Sequence, residues 1–159
     1  MHIRGTPRRT GGAHLHLAAE AGAIATGREA VRETLREAGW ATEGVELAVL
    51  AADEALANAI EHGSPPGATV EIATTVAAGG AVAEVVVTDR GRPGVRAPVG
   101  VPAAPPPSSD HGRGLIIMSA LADELEVGRA GRGTRVRLRF ARPAPLATPP
   151  RDAADAVIA

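Results

Sequence analysis

The sequence predicts an α+β fold: a two-layer sandwich in which three helices lie on one face of a mixed, mostly antiparallel sheet of about five strands. Apolar residues at helical spacing occur in two adjacent segments and in one later segment. Short apolar runs joined by Gly-rich connections occur in pairs, as in hairpins. The 159 residues, 45% of them hydrophobic, match one domain with a single core.

The first predicted elements are a strand and a helix. Residues 1–12 contain several glycines and arginines and are predicted to form a flexible leader. Residues 14–17 alternate between histidine and leucine, which indicates an edge strand. Residues 21–38 repeat apolar side chains at helical spacing, and Gly39 supplies a helix stop.

A second helix follows almost at once. Thr42 is its predicted N-cap, and the helix extends to about His62 and ends at Gly63, before a turn at 64–67. Its apolar side chains fall on one side, which predicts packing against the core. These are Val45, Val49, Ala52, Leu56 and Ile60.

The second half of the chain is mainly strand and loop. The predicted strands are residues 69–76, 82–88, 124–127 and 134–140. Residues 95–111 are too rich in Pro, Gly and Ser for regular structure, and a third helix follows them to Leu121. Residues 142–159 are predicted to be a disordered tail, so the domain covers residues 13–141.

Composition excludes several kinds of chemistry. The net charge is −1 and every basic residue other than histidine is arginine, so a lysine Schiff base or a P-loop lysine is excluded. Without cysteine there is no disulfide, thiol nucleophile or thiolate metal site. Trp40 and Phe140 are the only aromatic residues, which argues against stacking on nucleic acid. No long apolar run or secretory signal occurs, so we expect a soluble cytoplasmic protein that binds neither membrane nor nucleic acid directly.

The helix DEALANAIEHG carries polar residues opposite its apolar side. Glu54, Asn58 and Glu61 fall within one stripe. A carboxylate one turn from a carboxamide suits a general base next to a hard cation such as Mg²⁺. The alternative is an amphipathic helix whose solvent-facing side happens to carry these residues.

A second polar element follows the strand at 82–88. Asp89 enters a turn that contains Gly91 and Gly94, so a carboxylate able to accept a hydrogen bond from an exocyclic amine lies beside backbone that a flat ring can approach. The alternative is an Asx-type turn that only closes a hairpin.

A third element opens the last helix. Gly112, Arg113, Gly114 and Leu115 bring together the N–H groups of a helix start, a helix dipole and a guanidinium, which favour an anion such as phosphate. The alternative is an ordinary helix N-terminus.

Taken in order, these elements resemble the N, G1, G2 and G3 boxes of the GHKL, or Bergerat-fold, ATPases, with Gly133-Thr134 as the fourth box. Within that superfamily, the short chain and the EAxxNAxxHG-like helix resemble the small bacterial anti-sigma-factor serine-protein kinases. The resemblance covers residues 13–141 and implies the Bergerat fold.

The resemblance also implies roles for individual residues. Glu54 would be the catalytic base and Asn58 the Mg²⁺ ligand. Asp89 would bind the adenine amino group of ATP, supported by Thr134 through a water. The remaining nucleotide-binding residues would be Gly91, Gly94, Gly112, Arg113, Gly114 and Leu115, with residues 95–111 as the ATP lid.

The implied function is an ATP-dependent serine-protein kinase that regulates transcription by phosphorylating an anti-sigma-factor antagonist and by sequestering a sigma factor, with a homodimer left open. One departure is Pro93, which stands where the family's second G1 glycine is expected and which has no N–H. The alternatives are therefore an anti-sigma-like binding module with weak or no nucleotide binding, and a stand-alone histidine-kinase-like ATPase domain.

Two further groups of residues could be either functional sites or ordinary solvated surfaces. His14 and His16 share one side of a strand and would suit either a metal site or a solvated edge. Several arginines near the C-terminal strand indicate either a solvated sheet face or a patch for an acidic protein. They are Arg129, Arg132, Arg135, Arg137 and Arg139.

Overall fold

The computed structural model describes residues 9–94 and 113–142. Within them the chain forms five strands and three helices. In chain order these are β1 (Arg9–Ala18), α1 (Gly22–Glu37), α2 (Thr42–Asn58), β2 (Thr69–Ala77), β3 (Val82–Thr88), α3 (Arg113–Leu121), β4 (Glu124–Ala130) and β5 (Gly133–Ala141). The predicted α+β class is confirmed.

The five strands form one sheet in the order β1-β2-β3-β5-β4. All four pairings between neighbouring strands are antiparallel, whereas the sequence predicts a mixed sheet. Hairpins join β2 to β3 and β4 to β5, and tight hairpins require antiparallel partners. In the connection between β2 and β3, Gly79 and Gly80 both have positive φ angles, which glycine adopts without strain.

One face of the sheet packs against the helices. Burial alternates strictly along β2 and β3, so every second side chain is in the core. The largest fully buried side chains come from both layers, and they make one apolar core. They include Leu35, Leu56, Ile72, Met118 and Leu138. The predicted two-layer arrangement follows from this single core.

Helix α1 ends as its sequence predicts. Gly39 has φ +76°, and its N–H donates to the carbonyl of Arg36 while the N–H of Trp40 donates to that of Leu35. These two bonds are the Schellman pattern, which uses the left-handed conformation that glycine adopts most readily. The predicted N-cap of α2 is one residue off: Ala41 is the extended residue before the helix, and Thr42 is its first residue.

Helix α2 changes its winding where the polar stripe ends. The α-helix stops at Asn58, and Ala59–Gly63 form a single π-helical turn before extended Ser64. The predicted end at Gly63 is therefore right, but the last turn is wider than an α-helical one. Such turns often occur at functional sites because they shift the side chains that follow.

Strand β1 begins five residues before the predicted start, so residues 9–12 of the predicted leader belong to the sheet. Backbone pairing with β2 provides the hydrogen bonds that the local Gly-rich sequence does not predict. The rest of the leader, the predicted lid, Gly112 and residues 143–159 lie outside the described residues. No helix in the described ranges is long and apolar enough to cross a membrane.

Candidate functional site

The carboxylate and carboxamide predicted for catalysis meet the start of α3. Glu54 and Asn58 are half-buried on α2, on the side opposite the fully buried Leu56. Gly114 lies directly against them: a Cβ there would be 2.8 Å from Nδ2 of Asn58 and 3.2 Å from Oε2 of Glu54. The predicted phosphate-binding helix end and the predicted base thus share one small volume.

An ion pair fixes the helix beside Glu54. Arg28 of α1 holds Asp53 with both Nε and Nη2, at 2.9 Å and 2.6 Å from Oδ2. Hydrogen bonding to Asp53 raises the pKa of Arg28 above its usual value. Two bonds in a fork define orientation as well as distance, so the pair anchors α1 to α2 one residue before Glu54.

Asp89 is buried at the end of β3, with 6% of its surface exposed. Its Oδ1 accepts the N–H of Gly91 at 2.9 Å and the N–H of Thr134 at 3.0 Å. Burial raises the pKa of Asp89, although the hydrogen bonds from Thr134 and Gly91 oppose that shift. The other oxygen, Oδ2, lies directly against the backbone of Gly63.

Glycines surround Asp89 because no side chain fits there. A Cβ on Gly63 would overlap the carboxylate of Asp89, and one on Gly133 would overlap its carbonyl. Gly91 has φ +78° and packs on the carbonyl of Arg132. From the sequence, Gly63 is predicted only to end a helix. Its position as the last residue of the EAxxNAxxHG-like pattern is the signal that could have marked it as part of the site.

Arg92 is a second contact that the sequence does not indicate. Its Nε donates to the carbonyl of Ser64 at 2.8 Å, and its Nη2 lies 3.5 Å from the carbonyl of Ile60. The turn after β3 is thereby attached to the end of the π-helical turn. No spacing rule links an arginine in one loop to carbonyls so far away along the chain.

The predicted site residues thus form two groups joined by α2. Asp89, Gly91 and Thr134 make one, and Glu54, Asn58 and Gly114 make the other. The positions of three further predicted residues are as follows. Gly94 is exposed with φ +77° and open space around it, Arg113 is exposed at the first residue of α3, and Leu115 packs on the core.

The remaining candidates lie on solvated surfaces. Glu61 and His62 are exposed, 3.8 Å apart. His14 and His16 approach Glu71 at 3.8 Å and 3.6 Å, and within the described ranges no group of three or more His, Cys, Asp or Glu is arranged to hold a metal. On the outer sheet face, arginines of β5 pair with glutamates of neighbouring strands, as in Arg137 with Glu126 and Arg139 with Glu124.

Comparison with known proteins places the chain in a family. Residues 17–140 match the model of the histidine kinase-like ATPase domain, and the chain belongs to that family. The predicted resemblance to the GHKL ATPases of the anti-sigma kinase type is confirmed. The fold and the family match together define the class of protein as a histidine kinase-like ATPase domain.

One solved structure gives a more particular likeness. The crystal structure of the RsbU and RsbW domains of Rv1364c from Mycobacterium tuberculosis superposes with a TM-score of 0.64 at 26% sequence identity. The match covers 87% of the present chain but 35% of that longer chain. No curated protein matches the sequence.

Proposed function

We propose that this protein is an ATP- and Mg²⁺-dependent serine-protein kinase that phosphorylates an anti-sigma-factor antagonist and sequesters a sigma factor. The observation that carries this proposal is the pairing of two groups along α2: a buried carboxylate acceptor at Asp89 and a base-and-amide pair at Glu54 and Asn58. We expect a ligand that engages both groups to carry an amine at one end and, at the other, anionic groups bound through a cation.

The residues around Asp89 fit an adenine ring. Oδ1 already accepts two backbone N–H groups, so Oδ2 is the atom that would accept the exocyclic amine. Gly63 has no side chain, so the carboxylate of Asp89 packs directly on its backbone and is held at the end of the π-helical turn. Loss of that backbone contact would move the acceptor and weaken adenine recognition.

The residues at the other end fit a triphosphate and a cation. Asn58 would hold Mg²⁺ through its neutral amide oxygen, and the lack of a side chain at Gly114 lets the first turn of α3 lie directly against this asparagine. ATP with Mg²⁺, when bound, supplies the phosphoryl group for transfer. Because Asn58 is uncharged, it adds no repulsion toward the phosphates.

Glu54 would accept the proton of the substrate serine. Its neighbour Asp53 is paired with Arg28, so this second carboxylate is neutralised and turned away from the reaction. Half-burial limits the water around Glu54. The chain has no lysine, so charge stabilisation during transfer would depend on the cation, arginine and backbone N–H groups.

The partners are inferred from likeness. The match to the RsbU and RsbW domains, at 26% identity, supports a regulatory role with a sigma factor and an antagonist protein, which would operate in the cytoplasm. A binding module with weak nucleotide affinity is the second candidate. Pro93 favours it, because the turn beside Asp89 lacks the N–H that the family's second glycine provides.

Calorimetry and phosphate transfer together test the proposal. We expect the full chain to bind ATP in the presence of Mg²⁺, and we expect labelled γ-phosphate to appear on a serine of an antagonist-type protein from the same cell. Glu54→Gln should bind ATP as the wild type does but transfer phosphate at least about a hundredfold more slowly.

The matched control is Glu61→Gln, which removes the same charge from an exposed position on the same helix side. It should transfer phosphate at the wild-type rate. Absence of heat at millimolar ATP would support the binding module instead. Equal transfer by Glu54→Gln and Glu61→Gln would remove Glu54 from the role of base.

A further inference from the structure

The side chain of Arg92 caps the end of the helix that carries Glu54 and Asn58. Its guanidinium is part-buried and meets the carbonyls of Ser64 and Ile60. The last carbonyls of a helix lack partners within the helix and need donors from elsewhere. Two prolines, Pro65 and Pro66, follow Ser64 and carry no N–H. Arg92 provides a donor that the following chain does not.

The turn after β3 therefore touches the end of α2 at two adjacent places. The carboxylate of Asp89 packs on Gly63, and Arg92 binds the carbonyl of Ser64, the next residue. Within the turn, Gly91 donates to Asp89, so the two contacts belong to one hydrogen-bonded unit. A shift of Arg92 would change the position of Asp89 relative to the helix.

Pro93, the residue after Arg92, adds no backbone donor to this turn. A second glycine at that position would offer a backbone N–H, whereas the proline ring offers none. Arg92, directly before the proline, anchors the turn through its side chain. Arg90, on the other side of Gly91, differs: it is exposed and approaches only Glu71 of β2 among the described residues, at 3.4 Å.

We propose that Arg92 is a positioning residue for nucleobase recognition, which holds Asp89 in register with the end of α2 in place of the missing glycine. The proposal rests on the nucleotide binding proposed above. Arg92 would not touch the adenine; it would act through Asp89. Its loss should therefore reduce affinity for an adenine nucleotide more than affinity for a nucleotide without the exocyclic amine at that place.

The test measures ADP and GDP binding to the full chain by calorimetry. Arg92→Ala should weaken ADP binding about tenfold, the effect of losing one hydrogen-bonded contact to a charged group. GDP binding should change by less than about twofold, so that the preference for ADP over GDP falls. Arg90→Ala, which removes an arginine from the same turn, should leave the binding of both nucleotides unchanged.

Arg92→Lys keeps the charge and one donor toward Ser64, and it should recover part of the ADP affinity. If Arg92→Ala gives no cooperative unfolding transition by Trp40 fluorescence, the comparison of Arg92→Lys with Arg90→Lys takes its place. Equal ADP affinity in the Arg92 and Arg90 variants would overturn the proposal, and so would an equal loss of ADP and GDP binding. A wild-type chain that binds no ADP would refute the proposed function itself.

Discussion

Asp89 and Thr134 are joined by two hydrogen bonds of 3.0 Å each. The N–H of Asp89 donates to the carbonyl of Thr134, and the N–H of Thr134 donates to Oδ1 of Asp89. The first bond extends the β3–β5 ladder by one residue beyond its last pair, Thr88 with Arg135. The carboxylate therefore has the rigidity of the sheet, although it lies in the turn that follows the strand.

Replacing Asp89 with Asn should abolish most adenine recognition. An amide that keeps its oxygen toward the two N–H groups presents its NH₂ to the ligand amine, and two donors repel each other. We expect ADP affinity to fall at least about tenfold in calorimetry. Asp123→Asn is the control, since Asp123 also accepts an N–H of β5, from Ala141, but is exposed. Unchanged ADP affinity in Asp89→Asn would mean that Asp89 only closes a turn.

The free energy of unfolding should depend on pH through the titration of Asp89. Burial raises its pKa in the folded state, so the folded chain keeps this proton to a higher pH than the unfolded chain does. The Asp89 contribution to the free energy of unfolding therefore increases as the pH falls from above the folded pKa to below the unfolded pKa. The Asn variant does not titrate there. Urea unfolding of both proteins, followed by Trp40 fluorescence, should show wild type gaining stability relative to Asp89→Asn as the pH falls toward the ordinary Asp pKa of about 3.9. The raised pKa would be contradicted if the difference in free energy of unfolding between the two proteins stayed constant with pH. It would also be contradicted if wild type lost stability relative to Asp89→Asn as the pH fell.

Gly63→Ala should disturb the site through the carboxylate of Asp89. The new Cβ overlaps that carboxylate, so either Asp89 or the π-helical turn must move. We expect a loss of about 1–3 kcal/mol in the free energy of unfolding, together with weaker ADP binding. Gly128→Ala in β4, where a Cβ meets nothing within 4 Å, should change neither quantity appreciably. Wild-type ADP affinity in Gly63→Ala would show that the contact does not matter for binding.

The packing of α1 on α2 can be tested with two substitutions that should partly compensate for each other. A Cβ on Gly27 of α1 would be 2.6 Å from Cδ1 of Leu56, so Gly27→Ala should destabilise the protein by about 1–3 kcal/mol. Leu56→Ala, which empties a fully buried position, should cost about 2–5 kcal/mol. In the double variant the alanine at position 27 occupies part of the vacated space and also favours the helix. The double variant should therefore lose less stability than the two single losses combined, as chemical denaturation would measure. Strict additivity would show that the two sites do not share a packing volume.

Local patterns in the sequence predict most helices and strands of the fold and their approximate bounds. Strand β3 has the predicted bounds, and α1 differs from prediction by one residue at each end. Gly39 ends α1 by the predicted mechanism. Strand β1 was predicted too short, because Gly11 and Gly12 have weak strand propensity and pair with β2 only in the folded sheet.

The sequence by itself determined the amphipathic helices, the alternating strands and the ordered set of polar motifs, because each depends on residues close together in the chain. The motifs were enough to indicate the family. Only the tertiary structure decided that Gly63 supports Asp89, that Gly114 packs on Glu54 and Asn58, and that Arg92 holds the end of α2. These contacts join residues far apart along the chain, and their geometry depends on how the helices pack on the sheet.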